Sequence, residues 1–205
     1  ARKFIELGEL LGIRVECVLT YGGQPIGRAI GPALELKEAL MALHDPKSAP
    51  KSLIEKSVSL AGVLLELGGR AQIGQGQKIA WEILESGQAL KKFNEIVVEQ
   101  GGTIKKPEEI ELGEYKQDVC SPKDGYVIGL SNKLITKLAK EAGCPKDKKA
   151  GIFLRVKTGN NVNEGDILYT IYSSSEERLN AAVNFARRTY PIKVEGMMLK
   201  RLSKF

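Results

Sequence analysis

The stretch Thr20 to Glu38, reading TYGGQPIGRAIGPALELKE, holds the residues of this chain whose types and spacing could do chemistry. Gly22, Gly23, Gly27 and Gly31 permit backbone conformations, positive φ included, that other residues adopt only at a cost. Pro25 and Pro32 each fix one φ at about −65°, and Pro32 is placed to open a helix. Such a loop lets a ligand or ion approach main-chain amides and carbonyls closely, as in phosphate cradles and nests. The spacing matches neither G-x-G-x-x-G nor a P-loop, since no Gly-Lys-Ser/Thr follows. Chemistry alone leaves two readings open, a tight structural turn and a ligand site.

Other constellations fail on inventory, so no catalytic and no cofactor-binding residue is assigned. His44 is the only histidine, and it falls where the helix from Pro32 ends, a position the helix dipole favours for a capping residue rather than a base. No histidine pair or carboxylate cluster has the spacing of a transition-metal site. Cys17, Cys120 and Cys144 are odd in number and lack a C-x-x-C pair, which reads as reduced structural thiols. Trp81 and Tyr169 read as core residues.

The elements that must position the loop follow from periodicity. Arg2 to Leu11 reads as an amphipathic helix with Phe4, Ile5, Leu7, Leu10 and Leu11 on one stripe, closed by Gly12. Ile13, Val15, Cys17 and Leu19 alternate with Arg14 and Glu16, which predicts a strand with one buried face. Helices are predicted from Pro32 to Leu43, from Ser52 to Leu67 with Ser52 and Glu55 at capping-box spacing, from Gln77 to Leu84 and from Ala89 to Gln100. Lys105 to Glu114 carries charge and Pro107 but little apolar periodicity, and reads as a linker. Strands follow around the turn Ser121 to Gly125, then a helix from Ser131 to Ala142, strands at Ile152 to Lys157 and Ile167 to Tyr172, and a helix from Ser175 to Arg188. The tail from Ile192 to Phe205 is expected to make an intermolecular or inter-domain contact, with an edge strand of its own domain as the alternative.

With 205 residues and 42% hydrophobic content the chain can bury a core, as one large domain or two small ones. The net charge of +6 is mostly lysine interleaved with acids. Its two small clusters, Lys146, Lys148, Lys149 and Lys200, Arg201, Lys204, lack aromatic interleaving, so a solvated basic surface is expected and nucleic-acid binding is not. No apolar run approaches the roughly 18 residues of a membrane span, and no signal-peptide pattern is present, so a cytoplasmic location is expected.

The loop and its flanks, LTYGGQPIGRAIGPALELKEAL, resemble the segment of thymidine and pyrimidine nucleoside phosphorylases that usually reads T-D-M-x-Q-P-L-G-x-x-x-G-N-A-L-E-V-x-E-A. Tyr21, Gly22 and Gly23 replace Asp-Met-x and Pro32 replaces Asn, a variant similar to the archaeal AMP phosphorylase branch. The similarity continues through Ser86 to Leu90 with Phe93, Gln100 to Gly102, Ala150 to Ile152, and Val162, Gly165, Asp166 and Leu168. The resemblance implies a mixed α/β and α+β fold: a mostly helical remainder of the phosphate-binding α/β domain over residues 1–104, then a barrel-sandwich-like α+β domain over residues 112–205. It implies a monovalent cation, potassium or sodium, held by the backbone oxygens of Ile26 and Ala29 and by the Glu38 side chain, with no required cofactor. The bland alternative leaves Glu38 on a solvated helix face beside Lys37. The family's phosphate and base ligands lie upstream of the matching segment, so the resemblance implies a portion without catalytic residues, inactive alone. In the full enzyme the implied partners are AMP or a related nucleoside monophosphate, phosphate, and further copies in a homodimer or larger oligomer. A second pattern, S-P-x-x-G-x-V followed by V-x-x-G-x-x-V-x-x-G-D-x-L, is similar to biotinyl and lipoyl carrier domains, but the lysine-bearing hairpin tip is missing. A carrier module and a non-enzymatic oligomerisation domain stay open as alternatives.

Overall fold

A computed structural model describes residues 1–103 and 105–198. The chain divides into two compact units. One joins Ala1–Gly22 to the segment starting at Met41, and the other joins Gly23–Leu40 to the segment starting at Lys105. The glycine loop and the helix after it thus cluster with the strand-rich part of the chain, whereas the sequence reading groups them with residues 1–104.

The first unit is built from helices. α1 (Arg2–Leu11) ends at Gly12, whose φ of 67° lets its N–H reach the carbonyls of Glu9 and Gly8. α3 (Lys51–Leu67) and α4 (Gly76–Glu85) meet at two glycines, because a Cβ on Gly76 would lie 2.1 Å from the Gly62 carbonyl oxygen. Glu66 Oε1 accepts the N–H groups of Gly74 at 3.0 Å and Gly76 at 2.8 Å, which satisfies amides at the start of α4. Ala42, Ala49, Ile54, Val58 and Ala80 form the buried centre, with Trp81 packed against it. α5 (Gln88–Glu99) follows the left-handed Gly87.

Two sequence expectations in this unit are corrected. Residues 13–19 form no strand. A strand needs a neighbour for its amides and carbonyls, and none pairs with these residues among those described, so Ile13 and Leu19 stay exposed despite the alternation. The capping box at Ser52 also fails: α3 starts at Lys51 after Pro50, which places Ser52 inside the first turn rather than at the cap.

The second unit holds two antiparallel sheets. The four-stranded sheet runs in the order β1 (Ala29–Ile30), β4 (Gly151–Leu154), β6 (Ile167–Ser173), β2 (Tyr115–Cys120). The three-stranded sheet runs β5 (Asn161–Val162), β3 (Gly125–Leu130), β7 (Ile192–Glu195). The Ser121 to Asp124 turn carries the chain from one sheet to the other rather than closing a hairpin, and Ser121 Oγ donates to the Lys123 carbonyl at 2.7 Å. α6 (Asn132–Ala142) and α7 (Glu176–Thr189) start at Ser131 and Ser175, each of which accepts a backbone N–H three residues on. Ile135, Leu138, Ile152, Leu154, Ile171 and Ala182 are essentially water-free in the shared core, and Tyr169 belongs to it.

β7 pairs with β3 at the edge of its own sheet, so Ile192 and Val194 serve the domain that contains them. The part of the tail contact placed on residues 199–205 lies outside the described residues. No helix among the described residues is long and apolar enough to cross a membrane.

Candidate functional site

α2 (Pro32–His44) projects Glu38 back towards the loop that precedes it. Glu38 is the one buried charged residue among those described, 9% exposed, and its carboxylate is wrapped by main chain. The Arg28 N–H donates to Oε1 at 2.8 Å and to Oε2 at 3.1 Å, and the Ala29 N–H reaches Oε2 at 3.4 Å. Hydrogen bonds of this kind to a carboxylate are charge-assisted and stronger than neutral ones.

This wrapping explains two glycines. Gly27 has φ 68°, and a Cβ there would lie 2.1 Å from Glu38 Oε2. Gly31 has φ 120°, and a Cβ there would lie 2.5 Å from the Ala150 carbonyl oxygen. The N–H of Gly31 donates to Glu35 Oε1 at 3.0 Å, closing the start of α2. The loop therefore approaches one carboxylate and one neighbouring strand more closely than any side chain would permit.

The loop is also fastened to the β4 region of the same unit. The Arg28 carbonyl accepts the Leu154 N–H at 2.8 Å, and Arg28 Nη1 donates to the carbonyls of Leu154, at 3.4 Å, and Arg155. Gln24 Oε1 accepts the Thr158 N–H at 3.1 Å. Lys157 Nζ donates to the Pro25 carbonyl. Burial is the main influence on Lys157 and lowers its pKa, Glu38 raises it and Arg28 lowers it again.

Of the residues named from sequence, Glu38 and Ala29 are brought together, and Ile26 is half-buried beside them in the chain. Glu38 does not sit on a solvated face. Both carboxylate oxygens of Glu38 accept N–H groups, and the Arg28 guanidinium is engaged by the carbonyls of Leu154 and Arg155 rather than by Glu38. Among the described residues, no group of three or more His, Cys, Asp or Glu side chains is placed to hold a metal. His44 is exposed at the last position of α2.

Sequence reasoning missed Arg28 and Lys157. The Lys157 contact to Pro25 joins residues 132 apart in the chain, and no local pattern announces it. The nearest signal is the strand predicted over Ile152 to Lys157, of which Lys157 is only the last residue.

Cys144, next to Gly31, donates its thiol to the Ala150 carbonyl at 2.9 Å. Burial, then the charges of Asp147 and Glu35, push its pKa up to about 11. This thiol is a packing group rather than a nucleophile.

A family model described as the pyrimidine nucleoside phosphorylase C-terminal domain matches residues 126–193. All 205 residues align with the AMP phosphorylase of Methanococcus aeolicus at 92% identity and with that of Methanocaldococcus jannaschii at 62%. The AMP phosphorylase of Pyrococcus abyssi is 54% identical over 203 residues. The chain spans only 41% of the length of the first two and 40% of the third. An unbroken match of this depth, in which the glycine loop and the two-sheet unit fall together, means that the chain belongs to the AMP phosphorylase and pyrimidine nucleoside phosphorylase family, as a C-terminal portion.

Proposed function

We propose that the chain is the C-terminal part of an AMP phosphorylase, supplying scaffold rather than reacting groups. The observation that carries this reading is identity of 92% over all 205 residues to a protein of that name of which they make up 41%. In the full enzyme, phosphate would attack C1′ of the ribose through an oxocarbenium-like transition state and the base would leave. For AMP the products are adenine and ribose 1,5-bisphosphate.

The residues described here suit a supporting role. Glu38, the one buried carboxylate among the described residues, is committed to backbone N–H groups, and Cys144 is held as a protonated thiol. The two antiparallel sheets of the second unit form a barrel-sandwich-like arrangement on this reading, and an oligomer of at least two copies goes with it. The carrier alternative keeps only the strand-and-turn pattern in its favour.

The test is phosphate-dependent release of adenine from AMP by the full gene product that contains these residues, with CMP and UMP as competing substrates. Phosphate-dependent adenine release supports the reading. A full product that releases no base from any nucleotide in the presence of phosphate overturns it.

A further inference from the structure

We propose that the cleft between β2, β7 and the last turn of α7 is a binding site for a small organic anion with an apolar body, held by the Tyr169 hydroxyl inside the cleft and by Arg187 at its exposed rim. The site lies wholly within the second unit and is independent of the phosphorolysis proposed above.

β2 and β7 are edge strands of different sheets, and both line one cleft of about 670 Å³. That volume falls in the range of small-molecule sites. Val119, Leu168, Val183, Ala186 and Ile192 give the cleft apolar walls, and Tyr190 adds an exposed ring to its lining. Val119 faces Tyr169 across β2 and β6, and the register then skips Leu168 so that Cys120 faces Ile167. All four of Val119, Cys120, Leu168 and Tyr169 line the cleft, so the bulge falls at its wall, and bulges re-aim side chains beside functional sites.

Tyr169 is 2% exposed, yet its hydroxyl has no hydrogen-bond partner among the described residues. A hydroxyl taken out of water without a partner is costly. No fully enclosed side-chain oxygen among the described residues lacks a partner, so the little exposure that Tyr169 keeps includes its hydroxyl, and this cleft is the cavity that it lines. Burial pushes its pKa up, which keeps the hydroxyl protonated and able to donate. A ligand oxygen would supply the acceptor that the protein does not.

The charges around the cleft select an anion. Asp118 Oδ1 accepts the Thr170 hydroxyl at 2.6 Å, and Glu195 is paired with Lys123 at 2.7 Å. Arg187 and Lys193, which also line the cleft, have no acidic partner among the described residues. Arg187 lies in the last turn of α7, where it offsets the negative end of the helix dipole, and its planar guanidinium suits an anionic group with two or more oxygens. A ligand with its apolar body against Val119 and Val183 and its acid at Arg187 would match walls and rim together.

The experiment is fluorescence titration of the full gene product with anilinonaphthalene sulfonate and with phenylnaphthylamine, which shares its rings but lacks the sulfonate. Excess AMP is present throughout, so that any nucleotide site stays filled. Wild type, Tyr169→Phe and Arg187→Gln are compared. The wild type is expected to bind the sulfonate saturably and about 10-fold more tightly than the neutral amine, the worth of one charged hydrogen bond. Arg187→Gln is expected to remove that preference. Tyr169→Phe is expected to weaken sulfonate binding by about 3- to 10-fold, the worth of a neutral hydrogen bond, while melting no lower than the wild type, because the lost hydroxyl has no partner in the protein. Absence of saturable sulfonate binding, equal affinity of the wild type for the two dyes, or sulfonate binding that either variant leaves unchanged overturns the proposal. So does a Tyr169→Phe protein that melts below the wild type, since the hydroxyl would then be serving the fold.

Discussion

The Glu38 carboxylate and Gly27 are packed so closely that a Cβ on Gly27 would lie 2.1 Å from Glu38 Oε2. The pair ties a loop conformation to a charge. Glycine at position 27 admits the carboxylate, and the carboxylate then satisfies the amides of Arg28 and Ala29, which a loop could not satisfy by itself.

Gly27→Ala should therefore destabilise the protein by more than the left-handed backbone alone would cost, which is about 1–2 kcal/mol. Gly165→Ala is the control, since Gly165 has φ 88° and nothing within 4 Å of a Cβ. Urea midpoints measure both. The expected order is wild type, then Gly165→Ala, then Gly27→Ala. Equal losses would mean that the carboxylate moves aside without cost.

Glu38→Gln keeps an acceptor but removes the charge and puts an amide NH₂ where a backbone N–H points. A loss of about 1–3 kcal/mol is expected, the range for leaving a buried hydrogen-bonding group badly paired. Thermal melting checks it. No measurable change would show that the amides of Arg28 and Ala29 are served equally well by water.

Cys144 and Cys120 should react very differently with iodoacetamide. Cys120 is exposed, whereas burial and then Asp147 and Glu35 push the Cys144 thiol up to about 11. At pH 8 that leaves about 100-fold less thiolate than an ordinary thiol of pKa about 9 would carry. Mass spectrometry of the native protein should show Cys120 modified first, and the difference should vanish in guanidinium. Equal native rates would contradict the packing described for Cys144.

Asp147 gives a pH dependence of stability. Burial opposes its ionisation, but bonds from Ser174, Lys149 and Ala150 outweigh that and hold its pKa below the ordinary value. Ser174 contributes its N–H at 3.0 Å and its hydroxyl at 3.1 Å. A carboxyl whose folded pKa is depressed adds stability above its unfolded pKa of about 4 and loses it as pH falls through the folded value. Wild type should lose more stability between pH 5 and pH 3 than Asp147→Asn does. Parallel curves would remove Asp147 from the account.

The helices and most strands of the second unit were legible because their periodicity is local. Leu134, Ile135, Leu138 and Ala139 lie on one face of α6, and Ile135, Leu138 and Ala139 are buried as that spacing requires. The stretch 13–19 misled for the opposite reason: alternation states which face could be buried but cannot supply a neighbour. Glu38 was singled out only through the family resemblance of the loop it follows, and the residues alone left it on a solvated helix face. Arg28, which reaches Glu38 through its backbone N–H, and Lys157, which reaches the Pro25 carbonyl from a turn 132 residues on, were not singled out. The change of sheet at Ser121 was hidden too, because turn residues mark a reversal without saying which strands will pair.

The central claim is that these residues serve as scaffold for a phosphorylase and hold no reacting groups of their own. Adenine release from AMP and phosphate, measured side by side on the isolated 205-residue chain and on the full gene product, tests it most directly. The account predicts turnover by the full product and none above the buffer blank by the isolated chain, since catalysis needs both substrates positioned together. Phosphate-dependent adenine release by the isolated chain would contradict it.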